Sequence, residues 1–340
     1  MNERLTAALA HLPRARLATL PTPLEEGPLL PGGARLLVKR DDLSGLGMGG
    51  NKARKLELLC GAAQRDGADV LVTVGAEQSN HARMTAAAGA ILGIETHLVL
   101  GGDPQAEPTG NRLLGELFGA HVHQPGSDDW AELSQALADL VAQLRAAGRN
   151  PYAIPMGGST DTGALGFTAA WVELRAQLDE RGVRPAAVVH ASSTGGTHGG
   201  LLAGAAADVE AATPGPPIVA IEVAKEPGRD LAADARELAR AALDRLGLGG
   251  GEHVDGLLEL DHRWLGPGYA IPSEAGDAAI RWAARHGGWV LDRTYSGKAF
   301  AGLLGLDAEG RFGPGDTVVF WHTGGHPAVF AAGGAPGVAG

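Results

Sequence analysis

An α/β architecture, with a mostly parallel sheet covered by helices on both faces, is expected of this 340-residue chain. Three features point to it. Short apolar, β-branched runs alternate with longer Ala/Leu/Arg-rich stretches of helical spacing. The runs stay apolar rather than alternating with polar residues, as strands buried between two helical layers must. Much of the chain's glycine, 53 residues in all, falls in loops that follow strands. At about 150 residues per domain the length implies two domains.

The elements are expected in this order. Pro21–Pro23 imposes an extended lead-in to strand Leu36–Lys39. Helix Ala53–Asp66, strand Val70–Val74, helix Asn80–Leu92 and strand His97–Leu100 follow, and the Gly/Pro-rich Gly101–Gly110 is a loop. Strand His121–His123, helix Asp129–Ala147, strand Tyr152–Ile154 and helix Asp161–Arg181 come next. The second half repeats the alternation: strand Ala187–Ala191, helix Leu201–Ala211, strand Ile218–Val223 and helix Arg229–Leu246. Helix Glu274–His286, strand Gly288–Leu291, helix Gly297–Leu306 and strand Thr317–His322 complete it. Thr213–Pro217 reads as a loop, Leu246–Gly251 as a loop or flexible joint, and Ala331–Gly340 as a frayed end.

Charge and cysteine content narrow the function. Lys plus Arg number 28 and Asp plus Glu 39, a net charge of −11 that argues against a nucleic-acid partner. The single cysteine, Cys60, sits among Leu58, Leu59 and Ala62 and belongs to a helix core; alone it allows no intrachain disulfide or multi-cysteine metal site. The start, MNERLTAALAHLPRAR, carries no apolar signal core, and no run reaches membrane-spanning length, so a soluble cytoplasmic protein is expected. His121 and His123 alternate toward one face of a strand. With no further ligand in view, a surface strand is expected there and no metal.

Three glycine loops carry chemistry. In Asp41–Lys52, Gly45, Gly47 and Gly50 match G-x-G-x-x-G, but polar residues separate them from the strand, and no Gly-Lys-Ser/Thr follows. What remains is a glycine-cushioned lysine, Lys52, at a helix start. The positive end of the helix dipole would help lower its pKa and suit it to Schiff-base chemistry; an ordinary solvated first-turn lysine is the other reading. In Gly75–Arg83, Ser79 and Asn80 open a helix, where they can cap it and also bind a carboxylate. In Ser192–Gly200, hydroxyls alternate with glycines at a strand-to-helix turn, a cup for a small phosphorylated cofactor; no lysine lies near it in sequence. A fourth loop, Trp321–Pro327, puts Thr323 at a strand's carboxyl end.

A glycine-flanked lysine, a Ser-Asn anion loop and a Gly/Thr cup together suggest pyridoxal 5'-phosphate. The chain resembles the fold-type II pyridoxal-phosphate enzymes, like the tryptophan synthase β subunit, and within them the D-cysteine desulfhydrase and aminocyclopropane-carboxylate deaminase family. The resemblance rests on Val38–Asp42, Gly49–Glu57, Gln78–His81, Thr194–His198, Gly268–Pro272, Tyr295–Ala299 and His322–Gly325, in family order over nearly the whole chain. It implies two open, mostly parallel twisted-sheet domains, each a three-layer αβα sandwich, with the cofactor in the cleft between them. The larger would comprise residues 1–51 and 162–340, the smaller 52–161. Lys52 would bind the cofactor covalently and later shuttle the α-proton. Asn51 borders it, Asn80 would hydrogen-bond the phenolic oxygen, and Thr194, Gly195, Gly196 and Thr197 would hold the phosphate. Thr323 would face the pyridine nitrogen. Ser79, Asn80 and His81 would meet the substrate together with Tyr269 and Tyr295, two of only three tyrosines in the chain. A small amino-acid substrate and a homodimer are implied.

The resemblance also sorts the five lysines. Lys39 would pair with nearby Asp residues, Lys55 and Lys298 would be structural, and Lys225 has no supporting motif. Within the family, the deaminases resemble Tyr-Glu-Gly-Lys where this chain has Tyr295-Ser296-Gly297-Lys298. That glutamate faces the pyridine nitrogen, and serine cannot replace its charge. The pattern therefore favours β-elimination of D-cysteine to pyruvate, hydrogen sulfide and ammonia over cyclopropane opening. Cysteate sulfo-lyases carry Ser-Ala-Lys at the turn, which Gly297 disfavours. Met84 and His326 depart from relatives near the active-site loops. Outside this class, a dinucleotide-binding oxidoreductase reading Gly45–Gly50 and a non-catalytic phosphate binder are the alternatives.

Overall fold

A computed structural model of the chain describes residues 2–225 and 228–337. Helix α1 (Glu3–Ala10) and strand β1 (Leu24–Glu26) precede β2 (Arg35–Arg40) and α2 (Lys52–Arg65). Then come β3 (Val70–Gly75), α3 (Asn80–Leu92), β4 (Glu95–Leu100), α4 (Gly110–Leu117), β5 (His121–His123), α5 (Trp130–Ala146) and β6 (Pro151–Ile154). The long α6 (Asp161–Arg181) leads to β7 (Ala187–Ser192), α7 (Gly196–Glu210), β8 (Ile218–Glu222) and α8 (Leu231–Leu246). The one-turn α9 (Val254–Leu257), β9 (Glu259–Asp261), α10 (Glu274–Gly287), α11 (Ser296–Ala308) and β10 (Thr317–His322) close the succession.

The strands form two sheets. One has six strands in the order β1-β2-β10-β7-β8-β9, parallel except for the antiparallel edge strand β1; the other has four parallel strands in the order β5-β4-β3-β6. Alternation along each strand explains the layers. On β2, Leu36 and Val38 face a core with Phe300 of α11, Ile280 of α10 and Phe320, whereas Leu37 faces Phe167 and Trp171 of α6 and Leu201 of α7. On β3, Leu71 packs with Leu56 and Leu59 of α2 and Met84 of α3, while Val70 and Val72 pack with Val141 of α5. Both faces of both sheets are therefore covered, which is why these strands read as unbroken apolar runs. Cys60 is buried in the core beside α3, and burial pushes its thiol up to about 12.

Three expectations need correction, and one strand is added. Gly288–Leu291 pairs with no described strand: Gly288 is the left-handed cap of α10, and Trp289 and Leu291 fill the core beneath the larger sheet instead. The far edge of that sheet is β9, too short and polar to announce itself. Helix α7 begins at Gly196, five residues before the expected Leu201, because the glycines of the cup are themselves its first turn. Lys39 pairs with Glu173 of α6 rather than with an Asp, and also donates to Thr22 O and Gln177 Oε1, each at 2.7 Å. Asp41 instead takes Arg54, which reaches its two oxygens at 2.8 and 2.9 Å and those of Glu173 at 2.8 and 3.0 Å. Burial raises the pKa of Glu173, but Arg54 and then Lys39 outweigh it and hold the carboxyl at about 2. This buried network ties β2, α2 and α6 together. Of the expected frayed end, residues 338–340 lie outside the described residues.

Candidate active site

The carboxyl ends of β3, β7 and β10 and the N-termini of α2, α3 and α7 converge on one cleft of about 790 Å³. Parallel strands make this convergence unavoidable: every strand-to-helix turn opens on the same edge and turns backbone N–H groups toward it. Asn51, Lys52, Ser79, Asn80, His81, Thr194, Gly195, Thr197, Tyr269, Tyr295 and Thr323 all line the cleft, whereas Gly196 is set back as the buried first residue of α7.

Lys52 opens α2 after a loop that only glycine can form. Gly49 has φ +76°, and a Cβ there would lie 1.9 Å from the carbonyl oxygen of Asp42. Arg83 clamps the same loop, donating to Gly47 O and, at 3.0 Å, to Gly49 O. Lys52 Nζ lies 3.3 Å from Asn51 Oδ1, and Asn51 Nδ2 donates to Thr197 Oγ1 at 3.2 Å. Desolvation in the cleft lowers the amine to about 8, with the negative charge of Asp292 opposing the shift.

Ser79 caps α3, its hydroxyl oxygen accepting from Ala82 N at 3.1 Å, which leaves the hydroxyl proton for another acceptor. Asn80 Oδ1 accepts from Asn111 Nδ2 at 3.0 Å and Arg83 Nη2 at 3.4 Å, so its amide can offer the cleft only N–H. His81 Nε2 lies 3.0 Å from Thr73 Oγ1, whose own proton goes to Ile154 O at 2.8 Å. The imidazole must therefore carry its proton on Nε2, leaving Nδ1 a buried acceptor without a partner among the described residues. Burial, then Lys52 and Lys55, hold His81 well below the usual histidine range, so it is neutral.

The cup is built by Thr194–Thr197. Thr194 Oγ1 is 2.7 Å from Ser159 Oγ, and Lys55 Nζ is 3.2 Å from the same hydroxyl and 3.1 Å from Gly157 O. A Cβ on Gly196 would come within 2.6 Å of that ammonium nitrogen. Lys55, expected to be structural, thus brings its amine beside this loop from α2, one turn after Lys52. Burial, Lys52 and Arg229 all depress its pKa, and no carboxylate among the described residues offsets them. A bound phosphate would supply that countercharge. The buried hydroxyl of Ser192 beside the cup, which has no partner among the described residues, would gain an acceptor. The residues present fit a small phosphorylated cofactor that reacts with an amine.

Two further residues were hidden in the sequence. Trp130, the first residue of α5, lines the cleft and meets Tyr269 edge-on, with ring centroids 6.0 Å apart. Tyr269 and Tyr295 bring their hydroxyls within 2.6 Å of each other. Asp292 is fully buried and accepts from the N–H groups of Thr294, Tyr295 and Ser296 and from Ser296 Oγ at 2.6–2.9 Å. Ser296 thus does not line the cleft; it braces the turn that presents Tyr295. Lys298 donates to Leu265 O and Gly268 O, both at 2.7 Å, and so anchors the loop carrying Tyr269.

Known proteins resemble this chain in sequence and fold. Residues 15–324 match the family described as pyridoxal-phosphate dependent enzyme. A D-cysteine desulfhydrase from Serratia proteamaculans (strain 568) is 39% identical over 336 residues, covering 96% of this chain and 98% of its own. A solved ACC deaminase homologue superposes with a TM-score of 0.85 at 35% identity, covering 97% of each chain. A fungal L-serine ammonia-lyase from Rhizomucor miehei, at 18% identity and TM-score 0.64 over 91% of this chain and 94% of its own, shares the fold. The chain is a member of the pyridoxal-phosphate dependent enzyme family.

Proposed function

We propose that this enzyme eliminates sulfide from D-cysteine, yielding pyruvate, hydrogen sulfide and ammonia. The observation that carries the reading is the composition of the cleft. A lysine amine held near 8 and two tyrosine hydroxyls 2.6 Å apart face one space, and among the described residues no Asp or Glu lines it. When bound, pyridoxal phosphate supplies an electron sink for the pair left at Cα by deprotonation. Lys52 would hold the cofactor's carbonyl carbon, Asn80 its phenolic oxygen, Thr323 its ring nitrogen, and the cup with Lys55 its phosphate. The Ser79 hydroxyl proton, with neighbouring Asn80 and His81, would bind the substrate carboxylate. Lys52 Nζ would take the Cα proton. As the Cβ–S bond breaks and sulfur leaves with the pair, the Tyr269–Tyr295 hydrogen bond can deliver a proton to it. The released enamine hydrolyses in water to pyruvate and ammonia.

The nearly full-length likeness to D-cysteine desulfhydrases supports this substrate. Opening of aminocyclopropane carboxylate is the second reading, supported by the name of the solved homologue; L-cysteate is a third. We propose further that residues 1–51 with 162–340 and residues 52–161 form two lobes, and that the enzyme works in the cytoplasm as a homodimer without nucleic-acid or membrane partners. The test is pyruvate release from D-cysteine, aminocyclopropane carboxylate and L-cysteate side by side. D-Cysteine is expected to give the highest kcat/KM; pyruvate from another substrate but not from D-cysteine would refute the assignment while leaving the cofactor in place.

A further inference from the structure

The histidines of β5 lie away from the cleft, on the edge strand of the smaller sheet. The cleft takes the Gly75 end of β3, whereas the opposite end, Val70, is in register with Glu95 of β4. Parallel pairing of β4 with β5 sets His97 opposite His121. Four side chains then meet on one face. His97 Nε2 lies 2.7 Å from Glu95 Oε1, and His121 Nε2 lies 4.0 Å from the same oxygen. The other nitrogen of His97, Nδ1, lies 2.8 Å from His123 Nε2. Arg149 Nη1 donates to Glu95 Oε2 at 2.9 Å, and its Nε donates to Asp69 at 2.7 Å.

We propose that Glu95 Oε1, His97 Nε2 and His121 Nε2 bind one divalent transition-metal ion of the zinc class, with a fourth position open to water. One ligand atom from each residue lies within 4.8 Å of the others. Bonds of about 2.0–2.2 Å at tetrahedral angles need ligand separations of roughly 3.3 Å. The 2.7 Å contact must open slightly and the 4.0 Å one close, and His121, whose side chain is 61% exposed, is free to swing. Two imidazoles and one carboxylate suit zinc, cobalt or nickel rather than calcium or magnesium. The surroundings are those of a supported site. With a metal on Nε2, His97 would carry its proton on Nδ1 and share it with His123 Nε2, 2.8 Å away, while Arg149 orients the second oxygen of Glu95. The competing cluster of Asp42, His322 and His326 is less apt, because Arg40 already donates to both oxygens of Asp42 at 2.7 and 2.8 Å.

The test uses the full chain loaded with its cofactor, stripped by a chelator, dialysed and titrated calorimetrically with zinc chloride alone. One ion per chain is expected. His121→Ala, at an exposed position, should weaken binding at least 100-fold, and His123→Ala about 10–100-fold. His253→Ala, at the half-buried histidine of another candidate cluster with Glu210 and Glu252, should leave affinity unchanged. Cobalt(II) should give the visible absorption of a four-coordinate ion in the unmodified chain and not in His121→Ala. Zinc bound no more tightly by the unmodified chain than by His121→Ala would overturn the proposal, as would loss of binding in His253→Ala alone. Retained cofactor absorbance reports that each variant is folded.

Discussion

Lys52 and Lys55 stand three residues apart on one helix, yet their surroundings assign them different work. Lys52 opens to the cleft with an amine near 8, whereas Lys55 is fully buried under the cup. In cofactor-free protein, acylation of Lys52 should therefore rise with pH and reach half its maximum at about 8, because only the deprotonated amine reacts. Site-resolved mass spectrometry checks this, and a midpoint near the ordinary 10.5 would contradict it. Ser79 offers a second test, since Asp is as good an N-cap as Ser. Ser79→Asp should keep the helix cap while placing a carboxylate where the substrate's own should dock. KM for D-cysteine should rise at least 100-fold with cofactor absorbance retained; an unchanged KM would remove Ser79 from the substrate site. Lys52 and Ser79 were legible because each sits at a strand-to-helix turn. Lys55 and Asp292 were not, since their importance comes from contacts 102 and 104 residues away in one case and from a turn braced by its own backbone in the other.

At the level of elements, the network of Lys39, Arg54, Asp41 and Glu173 pins β2 and α2 to α6. Glu173→Gln leaves two buried cations short of countercharge and should cost about 3 kcal/mol, read from the denaturant midpoint. The folded carboxyl, at about 2, lies below its ordinary 4.5. Its contribution is thus full above about pH 4.5 and is lost as pH falls toward 2. The variant should lack that part of the acid transition; an unchanged acid limb would show that the pairing contributes nothing. Strands buried on both faces, such as β3, β7 and β10, could be read from composition alone. The edge strands β1 and β9 could not, because an edge needs neither length nor apolarity. Gly288–Leu291 misled for the converse reason: it is apolar because Trp289 and Leu291 are core, not because it is paired.

For the whole molecule, the cleft draws its walls from both sheets, with Lys52, Ser79 and Trp130 on one side and Thr194, Tyr295 and Thr323 on the other. A cofactor held by both should stabilise the folded chain by mass action, about 2.7 kcal/mol at a hundredfold excess over its Kd. Removing it should lower Tm by several degrees and make Tm depend on added cofactor; a Tm indifferent to the cofactor would deny that it bridges the two sheets. Both walls are organised around one reactive amine. Borohydride reduction of the loaded enzyme, followed by peptide mapping, tests that organisation at its centre. The cofactor should be fixed on Lys52 and nowhere else; a label on Lys55, on another lysine, or on none would refute it.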